Sequence, residues 1–216
     1  MDIQSKIIGE IRRNRISTTE VADCLGKTGA LPGLVSLNRG HFRVGEVFWA
    51  YAYNGSNWEC HEQLADVDEG KIVLVEPIDC QQRAIFGELL SKYLILYRQA
   101  AAIVVQGYLR DAPHLIKENW PIWLEGVTPI GCVNVKNDPP LAEASIRERR
   151  EHYQGAIAVC DDSGVVIIPK SVQDGEFLEK LRFIEEQEDL WFDCIDHRKW
   201  STFETVCLKR YKEGGE

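Results

Sequence analysis

The chain has 216 residues, 44% of them hydrophobic and 27% charged, and a formal net charge of −9. That is enough apolar material for the core of one good-sized domain, and the acidic balance excludes a non-specific binder of nucleic acid or anionic membrane, which needs a basic face. No stretch approaches the roughly 18 apolar residues of a membrane helix, and MDIQSKIIGEIRRNRIS at the start lacks the apolar core of a signal peptide, so a cytoplasmic protein is expected.

In chain order, residues 2–14 predict a short amphipathic helix. Ser17 with Glu20 forms a capping box that opens a second helix to about Leu25. A glycine-rich loop spans 26–33. Strands are predicted at 43–53 and at KIVLVE after Gly70, with a short helix at 58–66 between them. AIFGELLSKYLILYR, 84–98, predicts a helix that is apolar on most sides and hence well buried. AAAIVV reads as a short buried strand that ends at Gln106-Gly107, followed by a short helix over 112–119. PIWLEG and IGCVNV predict two more strands, and GAIAVCDDSGVVIIP predicts a hairpin turning at Asp161-Asp162-Ser163-Gly164. The arginines at 147–150, like Arg12-Arg13, alternate with Glu and read as solvated helix faces. In the last part Phe177, Leu181, Ile184, Trp191 and Ile195 share one helical face, and Ser201 with Glu204 caps a final helix to about Tyr211. Alternating helix and strand signals without a linker favour one α/β domain.

Most familiar chemistries lack support. GKTGALPG has a Gly-Lys-Thr, but Val21 stands where a phosphate loop needs its first glycine. No GxGxxG follows a strand, CHEQL at 60–64 is not HExxH, and no GxSxG is present. The seven cysteines are an odd number with no CxxC pair, and they read as reduced thiols, most of them buried.

Two segments stand apart. An apolar strand delivers Arg110 and Asp111 side by side at its end, and FGELL places Gly87 and Glu88 at the start of a helix. A helix start with a glycine lets backbone N–H groups meet a small anion. Arg110 offers a planar fork for a carboxylate or keto oxygen. Asp111 is a hard oxygen ligand for Mg²⁺ or Mn²⁺, and Glu88 suits a metal-bound water. The other reading of Arg110 and Asp111 is a surface ion pair of small value.

Taken together, ISTTEVADCLGKTGALPG, GKIVLVE, FGELLSKY, AAAIVVQGYLRDAPHL, PIWLEGVTPIG and GAIAVCDDSGVVIIPK, across about residues 16–169, resemble the RraA-like family. That family is named for a regulator of ribonuclease activity and includes 4-hydroxy-4-methyl-2-oxoglutarate aldolases. The pairing of G-[DE]-L-L with a downstream Arg-Asp is its specific part. The resemblance implies a three-layer β/β/α swivelling-domain fold over 1–170, with a C-terminal helical extension over 171–216 on the core or a neighbouring subunit. It implies a homotrimer, or a hexamer of paired trimers, with sites at subunit interfaces. It makes Gly87, Glu88, Leu89 and Leu90 the substrate-binding turn. Arg110 becomes a substrate-binding and catalytic residue, Asp111 the metal ligand, and Glu88 the acid that reaches the metal through water. The expected activity is that of a metal-dependent pyruvyl aldolase or oxaloacetate decarboxylase acting on a 2-oxo acid. The alternative is a non-catalytic regulator binding a ribonuclease or other protein. Gln106 replaces the Asp usual before Gly107. Glu185, Glu186 and Glu188 are the candidates for a further acid that aldolase members carry on a C-terminal helix.

Overall fold

In the computed structural model, which describes residues 2–212, two short helices open the chain: α1 (Ile3–Asn14) and α2 (Thr18–Cys24). The capping box is present, with the Ser17 hydroxyl accepting from the Glu20 N–H and the Glu20 carboxylate accepting from the Ser17 N–H. After the two-residue β1 (Val35–Ser36) come the parallel strands β2 (Arg43–Tyr53), β3 (Ile72–Ile78), β4 (Ala102–Leu109) and β5 (Ile122–Val127). Their crossovers carry α3 (Trp58–Gln63), α4 (Glu88–Lys92) and α5 (Ala112–Lys117). Helix α6 (Glu143–Tyr153) then leads to the hairpin β6 (Ile157–Asp161) and β7 (Gly164–Ile168), and α7 (Gly175–Asp196) follows.

The seven strands form one sheet in the order β1-β5-β4-β3-β2-β6-β7. Its ends nearly meet, because Leu31 N–H donates to Val165 O at 2.9 Å and Ile167 N–H to Gly29 O at 2.8 Å. Alternation along the strands sorts side chains to two faces. Val73, Val75, Ile103 and Val105 pack under α3, α4 and α5 with Leu64, Leu94 and Leu115. Val47, Trp49, Leu74 and Val104 face Ala158, Val165 and Ile167 of the hairpin, which the curl of the sheet brings opposite. The outer side of the hairpin, through Val159 and Ile168, carries Ile7 and Ile11 of α1, Val21 of α2, and Phe177, Leu181 and Ile184 of α7. Two β layers with helices outside them follow directly from this sorting. The hairpin turn is structural: Asp161 caps α2 by accepting from Thr18 N–H and Oγ at 2.8 and 2.7 Å, and Asp162 accepts from Gly40 N–H.

Three expectations need correction. Residues 84–87 are extended rather than helical; the helix starts at Glu88, and 93–97 form a wider π turn. It is not fully buried either, since Leu89, Leu96 and Tyr97 face outward. Strand β4 does not end at Gln106 but runs on to Leu109, with a register shift between Val105 and Tyr108. IGCVNV is not a strand; among the described residues its β pairing amounts to isolated bridges at Gly131 and Val133.

The extended residues 84–87, the longer β4 and the bridged 130–132 share one cause. The β3–β4 ladder stops at Val75 opposite Val105. Pro77 follows, and a proline has no N–H to donate across a ladder. Its ring lies where a side chain on Gly107 would be, 2.7 Å from that Cβ position. The two strands part there, and residues 84–86 enter beside β4 in place of β3. Ile85 N–H donates to Tyr108 O at 2.9 Å and Arg110 N–H to Phe86 O at 3.0 Å. On its other side the insert holds residues 130–132, through Ala84 N–H to Ile130 O and Cys132 N–H to Ala84 O.

Candidate active site

The inserted segment brings the two chemistry-bearing stretches together. Hydrogen bonding of 84–86 to the end of β4 sets Gly87 against Arg110 and Asp111. A Cβ on Gly87 would fall 2.0 Å from Asp111 Oδ2 and 2.8 Å from Arg110 Cγ, so only glycine fits. Asp111 lies in the left-handed region, at φ 62°, between β4 and α5. That conformation turns its carboxylate back toward α4, where Oδ2 accepts from the Glu88 N–H at 3.0 Å.

Around this contact stand three more polar side chains. Arg110 Nε lies 3.8 Å from Asp111 Oδ2, beyond a hydrogen bond, and both side chains are about half exposed. Glu88 Oε2 is 2.8 Å from His114 Nδ1 on the first turn of α5. The Arg110 guanidinium lies against the backbone of Gly131, whose Cβ position is 2.9 Å from Nη1 and 3.7 Å from Cζ. Of the predicted turn, Leu90 is sunk in the core, whereas Leu89 is 83% exposed beside the site. The Glu88 N–H is taken by Asp111, and as first-turn groups the N–H of Leu89 and Leu90 have no partner within their own helix.

The site thus joins Gly87, Glu88, Leu89, Arg110 and Asp111, all named from sequence, and adds His114, Gly131 and, behind Gly131, Arg83. His114 stands within the same QGYLRDAPHL stretch, three residues past Asp111 at the start of α5, where one helical turn brings it back to the site. Nothing in the sequence marks Gly131 or Arg83. Gln106 has its side chain at Tyr153, and its buried Oε1 lacks a partner among the described residues. Glu185 of α7 accepts from Asn14 Nδ2 at 2.6 Å within its own chain.

The expected divalent metal can be tested on the donors present. Among the described residues no group of three or more His, Cys, Asp or Glu is placed to enclose a metal ion. A lone Asp carboxylate beside a second acid does not suit zinc, which takes three or four protein ligands. It does suit Mg²⁺ or Mn²⁺, which keep most of their waters and take the remaining oxygens from substrate.

A nearly closed mixed sheet with an inserted glycine turn facing an Arg-Asp pair defines a class, and comparison with known proteins agrees. The family model RraA-like (Aldolase/RraA) matches residues 18–167. The chain belongs to this family. An uncharacterized protein from Pseudomonas syringae pv. tomato superposes with a TM-score of 0.72 at 22% identity, over 95% of this chain and 94% of that one. A Streptomyces coelicolor protein, described as an unusual member of the RNase ES inhibitor RraA family, gives 0.64 at 21% identity over 85% and 94%. The RNA-processing inhibitor RraA from Thermus thermophilis gives 0.55 at 21% identity over 70% and 92%. At these identities the likeness is one of fold. No described helix is long and apolar enough to cross a membrane.

Proposed function

We propose that the chain is a divalent-metal-dependent lyase for 2-oxo acids. It would cleave a 4-hydroxy-2-oxo acid to pyruvate by retro-aldol reaction, decarboxylate oxaloacetate, or do both. The observation that carries this reading is the packing of Gly87 on Asp111. A glycine with no room for a side chain keeps two acids and an arginine in one exposed notch, which a binding surface does not require.

Asp111 would hold Mg²⁺ or Mn²⁺, with Glu88 acting through water, and the ion would supply Lewis-acid polarisation of substrate oxygens. Arg110 binds the keto oxygen or carboxylate of the pyruvyl unit. When the bond beyond C3 breaks, its electron pair moves toward the C2 oxygen, and the fixed guanidinium stabilises that charge. The free N–H groups of Leu89 and Leu90 orient the carboxylate. Glu88 Oε2 and His114 Nδ1 form the pair that can take the proton from the C4 hydroxyl of the aldol substrate as the C3–C4 bond breaks and return one to C3 of the enolate.

Assembly as a trimer, or a hexamer of paired trimers, belongs to the same proposal. It is supported by the outward apolar residues Leu89, Leu96, Tyr97, Ile116 and Ile130, carried by the segments that form the site or follow directly from them. The deciding experiment measures pyruvate release from 4-hydroxy-2-oxo acids and CO₂ loss from oxaloacetate, with Mg²⁺ and with chelator. Metal-dependent turnover is expected. No turnover on either substrate class, together with tight capture of a ribonuclease, favours the regulator reading that the names of the Streptomyces and Thermus proteins suggest.

A further inference from the structure

We propose that Arg83 is a positioning residue for Arg110 and acts through Gly131; this rests on the 2-oxo acid reading above. Arg83 is the residue that leads into the inserted segment. Its stem lies along Gly55, with Cδ and Nε 3.6 and 3.7 Å from that glycine's Cβ position. Its Nη1 donates to Gly131 O at 3.0 Å. No carboxylate lies within ion-pair distance of Arg83 among the described residues. The cation is therefore placed on a backbone carbonyl rather than neutralised.

That carbonyl belongs to the residue on which Arg110 rests. Its Cζ and Cδ lie 3.7 and 3.9 Å from the Gly131 Cβ position, so the guanidinium and its stem lie along that backbone. Asp111 at 3.8 Å is too far to fix Arg110 by a hydrogen bond. The seat is Gly131, and the seat needs holding. Residues 128–135 form no strand, and Ile130, Val133 and Val135 are exposed. The flanking residues are tied down: Ile130 O and Cys132 N–H pair with Ala84, and Val133 pairs with Gly55 and Asn57. Among the described residues the Gly131 carbonyl has a single donor, and it is Arg83. Removing that donor frees the peptide to tilt, and the surface beneath Arg110 tilts with it.

The chain of contact runs from Arg83 to Gly131 to Arg110, so the effect should fall on the affinity of the group that Arg110 grips. Arg83→Ala is expected to raise KM for the 2-oxo acid about tenfold, the scale of one charged hydrogen bond, with a smaller change in kcat. Arg83→Lys, which keeps a donor for the carbonyl, should restore part of the affinity. Gly131→Ala attacks the same seat from the other side, by placing a methyl 2.9 Å from Arg110 Nη1. It should raise KM with Arg83 intact, and Arg83→Ala added to it should cause little further loss. Affinity for oxalate, measured by calorimetry with Mg²⁺, should follow KM through the series. If the wild type turns over 2-oxo acids while Arg83→Ala and Gly131→Ala leave KM and oxalate affinity unchanged, the positioning role is overturned and the lyase reading stands. If the wild type neither turns over a 2-oxo acid nor binds oxalate, both are overturned. Full additivity of the two variants also overturns the role, because it would mean two independent effects.

Discussion

Arg110 and Asp111 do separate work although they are neighbours. Both are about half exposed, and an ion pair 3.8 Å apart in that setting contributes little to stability. Arg110→Ala is therefore expected to abolish lyase turnover while shifting stability by no more than about 0.5 kcal/mol, whereas Asp111→Ala should abolish turnover and also cost about 1–2 kcal/mol, because it loses the bond from the Glu88 N–H and leaves alanine in the left-handed region. A thermal melt beside the activity assay checks both halves, and a large fall in melting temperature for Arg110→Ala would make the pair structural. Gly87 is the opposite case. Gly87→Ala forces a methyl onto the Asp111 carboxylate, and it should cost about 1–3 kcal/mol as well as activity. A Gly87→Ala protein of unchanged stability and turnover would mean that the notch yields easily. Glu88, Arg110 and Asp111 were legible because charges that directly follow apolar runs are conspicuous. Gly131 and Arg83 were not, because their roles arise from a contact across 48 residues of chain that no local pattern encodes.

Secondary structure departs from the local pattern where two neighbouring signals compete. Apolar residues from 84 to 97 suit a helix, yet Ala84 and Ile85 are claimed by backbone partners on Tyr108, Ile130 and Cys132. Tertiary pairing thus overrode the local pattern. The hairpin, the capping box at Ser17 and the long C-terminal helix were legible because turn residues and caps act within a few positions. Helix α7 also carries an electrostatic penalty. Burial, with Glu20, Asp23 and Asp189 nearby, pushes the Glu188 carboxyl above the usual range. Burial does the same to Glu185, aided by Glu20, Glu10 and Asp189 and opposed by its bond from Asn14. A carboxyl whose folded value is raised favours the folded state when protonated, and that contribution is lost as pH climbs through the folded value. Glu188→Gln should therefore stabilise the protein at pH 7, by about 0.2–0.5 kcal/mol per like-charge contact relieved. The gain should shrink near pH 4, and melting curves at the two values would expose a gain that grows instead.

For the whole molecule, the outward apolar residues set the expected assembly. Leu96→Glu places a charge in the turn after α4, where the leucine is 51% exposed. Light scattering should then find monomers with an unchanged circular dichroism spectrum, whereas intact trimers would move the interface elsewhere. The layered fold itself was legible from alternation and the resemblance together; the near-closure of the sheet was not, because Gly29 and Leu31 sit in what reads as a loop. That closure bears on how the protein is made. The first strand-like segment and the last strand are the two that meet, and β6 must pair with β2 across more than half the chain. Such long-range pairing is slow. A chain growing on the ribosome holds its parallel strands with the hairpin face of β2 unpartnered until residue 168 has emerged. All of residues 29–168 must exist before the sheet can close, so β2 stays exposed to aggregation while β3, β4 and β5 are being made.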